Sequence, residues 1–111
     1  MSQVPLEQLS AERLIEFVGS TFNVEATEGH KVPLLLTTVT QPRTSGSAEP
    51  GVRYENFSLF FDGPSAHPLP QRTYTMEHLQ LGHFTLFIVP VGNERGCLQY
   101  QIVFNRLRKE V

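Results

Sequence analysis

The sequence contains no tryptophan and a single cysteine, Cys97, among 111 residues. One cysteine cannot close an internal disulfide, so any folded state rests on a packed core, and the free thiol fits a reducing compartment. Charge is scarce as well. Asp, Glu, Lys and Arg make up 18% of the chain, below the roughly 25% of an average globular domain, which leaves a rather bare surface. The net charge of −2 supplies no basic footprint of the kind that phosphate contacts demand of a nucleic-acid binder. The one basic cluster, Arg106, Arg108 and Lys109 ahead of Glu110, reads as a solvated tail. No apolar run nears the ~18 residues of a membrane span. Met1–Ser10 shows neither the basic nor the apolar region of a signal peptide. These absences predict a soluble, cytoplasmic protein with no nucleic-acid and no membrane partner. The Asn56-Phe57-Ser58 triplet matches a glycosylation acceptor and, without secretion, is a chance match.

Bulk apolar material is plentiful. Eight Phe and three Tyr, in a chain that is 40% hydrophobic, are enough for one real core, and the length suits one domain over residues 1–111 rather than two. Ser10 is suited to cap a helix, Leu9 and Leu14 to form a hydrophobic staple, and Gly19 to end it. The spacing of Leu14, Ile15, Phe17 and Val18 predicts one short amphipathic helix over about residues 10–18. Two turns are not stable alone, so this helix must dock.

After Gly19 the period drops from 3.6 to 2. Phe22, Val24 and Ala26 alternate with polar neighbours, and a turn at Glu28-Gly29-His30 leads into a strand over 32–39. Pro33 marks that strand as an edge or a strand start, because it has no N–H to donate. The Pro-, Gly- and Ser-rich stretch 41–51 predicts a mobile loop. Phe57, Leu59 and Phe61 share one face of a strand over 52–62. A turn at Asp62-Gly63-Pro64 then opens an irregular loop over 63–70. Tyr74 and Met76 alternate in the next strand, 71–78, which Leu81-Gly82 turns back. Residues 84–91 are apolar at nearly every position and predict a central strand covered on both faces. A hairpin loop over 92–96 precedes a last strand that buries Leu98, Tyr100, Ile102 and Phe104 and exposes Gln99, Gln101 and Asn105. The sum is a mainly β domain: a six-stranded antiparallel small barrel or curved sheet, with the helix packed on it.

No catalytic signature emerges. There is no G-x-S-x-G elbow to activate Ser58 or Ser65, and no cation or helix N-terminus to depress the Cys97 thiol. Glycines are scattered at turns rather than grouped to cradle a phosphate, and pairing Asp62 with Glu77 has no local support. His67, His78 and His83 lie in one stretch, with Glu77 beside His78. Zinc accepts His and carboxylate ligands, yet the H-E-x-x-H spacing is absent, so these residues read as strand-end and loop histidines. No cofactor or metal is expected. His78 and Gln71 are suited to stitch the loop to the sheet by hydrogen bonds, a structural role. Together His67, Gln71, Glu77, His78 and His83 form the candidate binding surface.

Several stretches combine into a wider pattern: Phe17-Val18-Gly19-Ser20-Thr21-Phe22, Phe57-Ser58-Leu59-Phe60-Phe61-Asp62-Gly63-Pro64, Leu69-Pro70-Gln71-Arg72-Thr73-Tyr74, His78, Leu81-Gly82, Leu86-Phe87-Ile88-Val89-Pro90-Val91-Gly92 and Tyr100-Gln101-Ile102-Val103-Phe104-Asn105. Across nearly the whole chain this pattern resembles a family of small bacterial domains of uncharacterised function. The resemblance implies no activity. It leans toward a role in an assembly of the phage-tail or secretion kind. The first functional reading is therefore a non-enzymatic interaction or assembly module with a protein partner or a second copy of the chain. A small-molecule binder with a Phe- and His78-lined pocket between helix and sheet is the second, and a metal-dependent enzyme using His67, His78, His83 and Glu77 the third.

Overall fold

In a computed structural model of the chain, residues 10–27, 29–46 and 50–109 are described, apart from the side chains of 45 and 106–109. The helix α1 spans Ala11–Ile15 and is followed by seven strands: β1 Thr21–Thr27, β2 His30–Val39, β3 Arg43–Gly46, β4 Val52–Pro64, β5 Arg72–His78, β6 Gly82–Glu94 and β7 Cys97–Lys109. All seven belong to one antiparallel sheet in the order β2-β1-β5-β6-β7-β4-β3, and a further β2–β4 pairing closes it. The result is a closed six-stranded barrel with β3 added outside the closure. Closure leaves the six barrel strands without a long free edge for much of their length. Pro33 pairs with Asn23 of β1 and lies ahead of the β4 ladder, which starts at Leu35. A residue without an N–H is tolerated there because β2 has a paired neighbour on one side only at that point.

The period-2 pattern decides which side chains enter the barrel. Phe22 and Val24 of β1, Val32, Leu34 and Leu36 of β2, Phe57, Leu59 and Phe61 of β4, and Tyr100, Ile102 and Phe104 of β7 are all buried. Leu98 is only half-buried. Phe22 lies at the centre of the aromatic packing, with ring centroids 5.4 Å from Phe61 and 6.2 Å from Phe84, both edge to face. That geometry suits the aromatic quadrupole.

Several elements differ from the sequence-based expectations. The helix ends at Ile15, not Val18, with Glu16 as its C-cap. Ser10 caps it as expected, its Oγ accepting from the Arg13 N–H at 3.1 Å. Only Ala11 and Leu14 are buried, Phe17 is half-buried, and Ile15 and Val18 face solvent. The cause lies downstream. Gly19, at φ +92°, donates its N–H to the Leu36 carbonyl at 2.8 Å, and Leu36 returns a bond to the Ser20 carbonyl at 3.1 Å. The sheet has already captured the chain, so the helix cannot run on. Leu9, the expected staple partner, lies outside the described residues.

The stretch 41–51 is not all loop, since Arg43–Gly46 pair with Asn56–Arg53 of β4. The expected turn at Gly63-Pro64 is instead the end of β4, and the irregular loop occupies 65–71. Gly63 is in the strand because nothing larger fits: a Cβ there would lie 2.6 Å from Leu34 Cδ2 and 2.9 Å from Tyr100 Cε2. The β6–β7 hairpin turns on two residues, Arg95 and Gly96, at φ 55° and 76°. Two positive φ values are the mark of a type I′ turn, which matches strand twist and lets pairing run from Glu94 to Cys97. The basic cluster is no tail, since Arg106, Arg108 and Lys109 pair along β4 with Glu55, Arg53 and Val52. Strand β6 is covered on one face only. Phe84, Leu86 and Ile88 are buried, whereas Phe87 is 49% and Val91 46% exposed.

Candidate functional site

His78 is the last residue of β5, and its side chain points inward with Tyr74 and Met76. Its Nδ1 accepts from the backbone N–H of Gln80 at 3.1 Å and of Leu81 at 3.4 Å. Nε2 lies 3.0 Å from Ser20 Oγ, which donates to the Phe17 carbonyl at 2.6 Å. Two N–H groups aimed at Nδ1 place its lone pair there, so the proton sits on Nε2 and is donated to Ser20. The Phe17 ring meets the imidazole edge-on at 4.9 Å, and Phe22 packs against it at 4.5 Å. His78 therefore joins the α1–β1 junction to the β5–β6 turn.

This arrangement fixes what His78 can do. A serine and a histidine in contact suggest a nucleophile and its base, but Nε2 already holds a proton and the hydroxyl proton is committed to Phe17. Neither can activate the other, so the pair is structural. Burial lowers the His78 pKa from its ordinary 6.5. A lowered histidine pKa means the unfolded chain takes up the proton first. The stabilising effect is complete above about pH 6.5 and is lost as pH falls through that value toward the folded-state pKa. Urea unfolding between pH 7.5 and 5 is expected to show stability falling on acidification. His78→Gln should flatten that slope relative to the parent chain, and an unchanged slope would refute the assignment.

Glu77 and His83 pair across the β5–β6 ladder and face outward. Glu77 Oε1 accepts from Lys31 Nζ at 2.5 Å, and Oε2 lies 2.9 Å from His83 Nε2. The lysine hydrogen bond is the main reason that the Glu77 pKa falls below its ordinary value and the Lys31 pKa rises. A cleft of about 300 Å³ is lined here by Asn23, Glu77, His78, Leu79, Gly82 and His83. Thus Glu77, His78 and His83 do converge, though His78 faces the core and the other two face solvent.

His67 and Gln71 belong elsewhere. The 65–71 loop is tied down by the Leu69 N–H, which donates to Tyr100 Oη at 3.0 Å, and by Tyr74 Oη, which donates to the Pro70 carbonyl at 2.6 Å. Tyr100 and Tyr74 do the stitching expected of His78 and Gln71, because their long side chains carry a hydroxyl out of the core. Gln71 is exposed. The ring of exposed His67 lies 5.0 Å from that of His30, at the start of β2. Among the described residues no group of three or more His, Cys, Asp or Glu is placed to hold a metal. Asp62 is on β4, which is not a neighbour of β5, so it does not pair with Glu77. Ser58 Oγ accepts from Gln101 Nε2 at 3.0 Å, a cross-strand tie.

Two further hollows share the β2–β3 connection. One of about 220 Å³ lies between α1 and the β2–β3 connection, lined by Ala11, Glu12, Ile15 and residues 39–42. It is a helix–sheet pocket, but neither a phenylalanine nor His78 is among the residues that line it. The larger, about 360 Å³, lies on the outer face of β4 and β7, lined among others by Arg43, Asn56, Phe60, Gln101 and Val103. Sequence reasoning missed Ser20, Lys31 and His30; each gains its role only from a contact distant in sequence.

A family model described as a domain of unknown function (DUF6916) matches residues 9–104. No curated protein and no solved structure matches the chain.

Proposed function

The chain belongs to the DUF6916 family, domains of unknown function, and we propose that it works as a non-enzymatic protein-interaction module whose contact face is the outer surface of β4, β6 and β7. One observation carries this reading: large apolar side chains stand outward on paired strands. Phe87 is 49%, Val91 46% and Val103 58% exposed, and Phe60 and Val89 are half-buried. The register sets Phe60 and Val89 on either side of Gln101, with Val103 two residues further along β7. Apolar groups gathered on one face mark an interaction surface, whereas scattered ones need no explanation. Because strands hold them, little side-chain and loop ordering is required on binding. The tautomer held by His78 argues in the same direction, since it removes the best-placed base from catalysis. An assembly of the phage-tail or secretion kind is the setting that this reading fits, with the partner either another protein or a second copy.

A photo-crosslinker at position 87 or 103 in living cells is expected to give a discrete adduct, and one at exposed Glu25, on β1 away from these strands, none. Val103→Asp should weaken the captured association by about 30-fold or more, the scale of a central interface residue. An adduct mass of twice the chain would identify self-association. Equal labelling at Glu25, or no effect of Val103→Asp, would overturn the proposal.

A further inference from the structure

We propose that His30 and His67 form a two-histidine site for a borderline divalent cation such as Zn²⁺, at the end of the barrel where β2 begins. The two are 37 positions apart in sequence, yet their ring centroids lie 5.0 Å apart with the planes tilted by 56°. With Zn–N bonds of about 2.0–2.1 Å and near-tetrahedral angles, two imidazoles sharing one ion have ring centroids about 5 Å apart. The tilt excludes a face-to-face stack. Both rings are exposed, so water can complete the coordination shell and the ion can exchange.

Both carriers are tied through their backbones, which limits how far the two imidazoles can part. His30 is held in β2 by its pairing with Thr27. The loop that carries His67 is pinned on one side by the His67 N–H, which donates to the Pro64 carbonyl at 3.2 Å. On the other side it is pinned by buried Leu69, whose N–H is bound by Tyr100 Oη, and by the Tyr74 bond to Pro70. Pro64, Pro68 and Pro70 restrict the intervening backbone further. Little ordering is then left for the metal to impose. The other histidines are not alternatives: the His78 nitrogens are both engaged inside the barrel, and His83 shares Glu77 with the Lys31 ammonium, which already supplies that corner with a cation. Imidazole pairs select zinc, nickel or copper over hard cations, so Mg²⁺ is expected not to bind.

Calorimetric titration of the full chain with Zn²⁺ at pH 7.5 should show one equivalent bound, and titration with Mg²⁺ none. His30→Gln and His67→Gln should each weaken zinc binding by at least about tenfold, a loss that even outer-shell partners of a metal can cause. The double variant should lose little more than either single one, because both ligands serve one site. His83→Gln should leave the affinity unchanged. Both substituted side chains are exposed, so the melting curves of the metal-free variants should overlay that of the parent chain. No zinc binding, binding indifferent to His30 and His67, or binding lost only with His83→Gln would each overturn the assignment.

Discussion

Replacing Phe22 with alanine is expected to lower the unfolding free energy by about 3–5 kcal/mol, the range for deleting a buried aromatic ring and leaving a void. Phe22 is fully buried, and its ring meets Phe61, Phe84 and His78. These residues come from β4, β6 and β5, so a cavity at Phe22 removes contacts to three other barrel strands at once. Its neighbours cannot collapse inward freely, because each is held in a strand whose backbone is paired. A domain of this size has a total stability of roughly 5–15 kcal/mol, so the variant should be at or near the edge of folding. Asn105→Ala, at an exposed position on β7, should stay within about ±0.5 kcal/mol. Urea melts of the two variants would decide the matter. Equal effects would mean that the barrel interior is not the core.

Gly63→Ala should cost about 1–3 kcal/mol, the usual penalty for overpacking a well-packed site. The added methyl would lie 2.6 Å from Leu34 Cδ2 and 2.9 Å from Tyr100 Cε2, and both of those residues are buried. The tyrosine ring cannot retreat without disturbing the bond from the Leu69 N–H to its hydroxyl, which holds the 65–71 loop. Destabilisation should therefore be accompanied by faster amide exchange at Leu69. Leu34→Ala in the Gly63→Ala background should cost less than the sum of the two single changes, since it removes one of the clashing groups. Strict additivity would show that the methyl is accommodated elsewhere.

Alternation in Phe22-Val24, Phe57-Leu59-Phe61, Tyr74-Met76 and Tyr100-Ile102-Phe104 was enough to read a mainly β domain of six barrel strands and to assign most of its interior. Period-2 burial is a local property, written into successive residues. The Ser10 cap was legible for the same reason, whereas the helix stop at Ile15 was not, because the long-range bonds of Gly19 and Ser20 with Leu36 set it. Strand β6 was misread because continuous apolarity has two causes: burial on both faces, or a bare outer face. Only the position of β6 in a closed barrel separates them. Strand β3 escaped notice because Arg43–Gly46 have no apolar alternation and are held by backbone pairing to β4.

Of the five candidate surface residues, the sequence by itself placed Glu77, His78 and His83 around one turn, since a short hairpin must bring its own ends together. Tertiary structure decided the rest. It turned His78 inward to Ser20 and left Glu77 to Lys31 and His83. It also separated Gln71 from His78 and set His67 beside His30. Those partners are between 6 and 58 positions apart in the chain. A sequence encodes which face each residue takes, but barrel closure and strand order determine which faces meet.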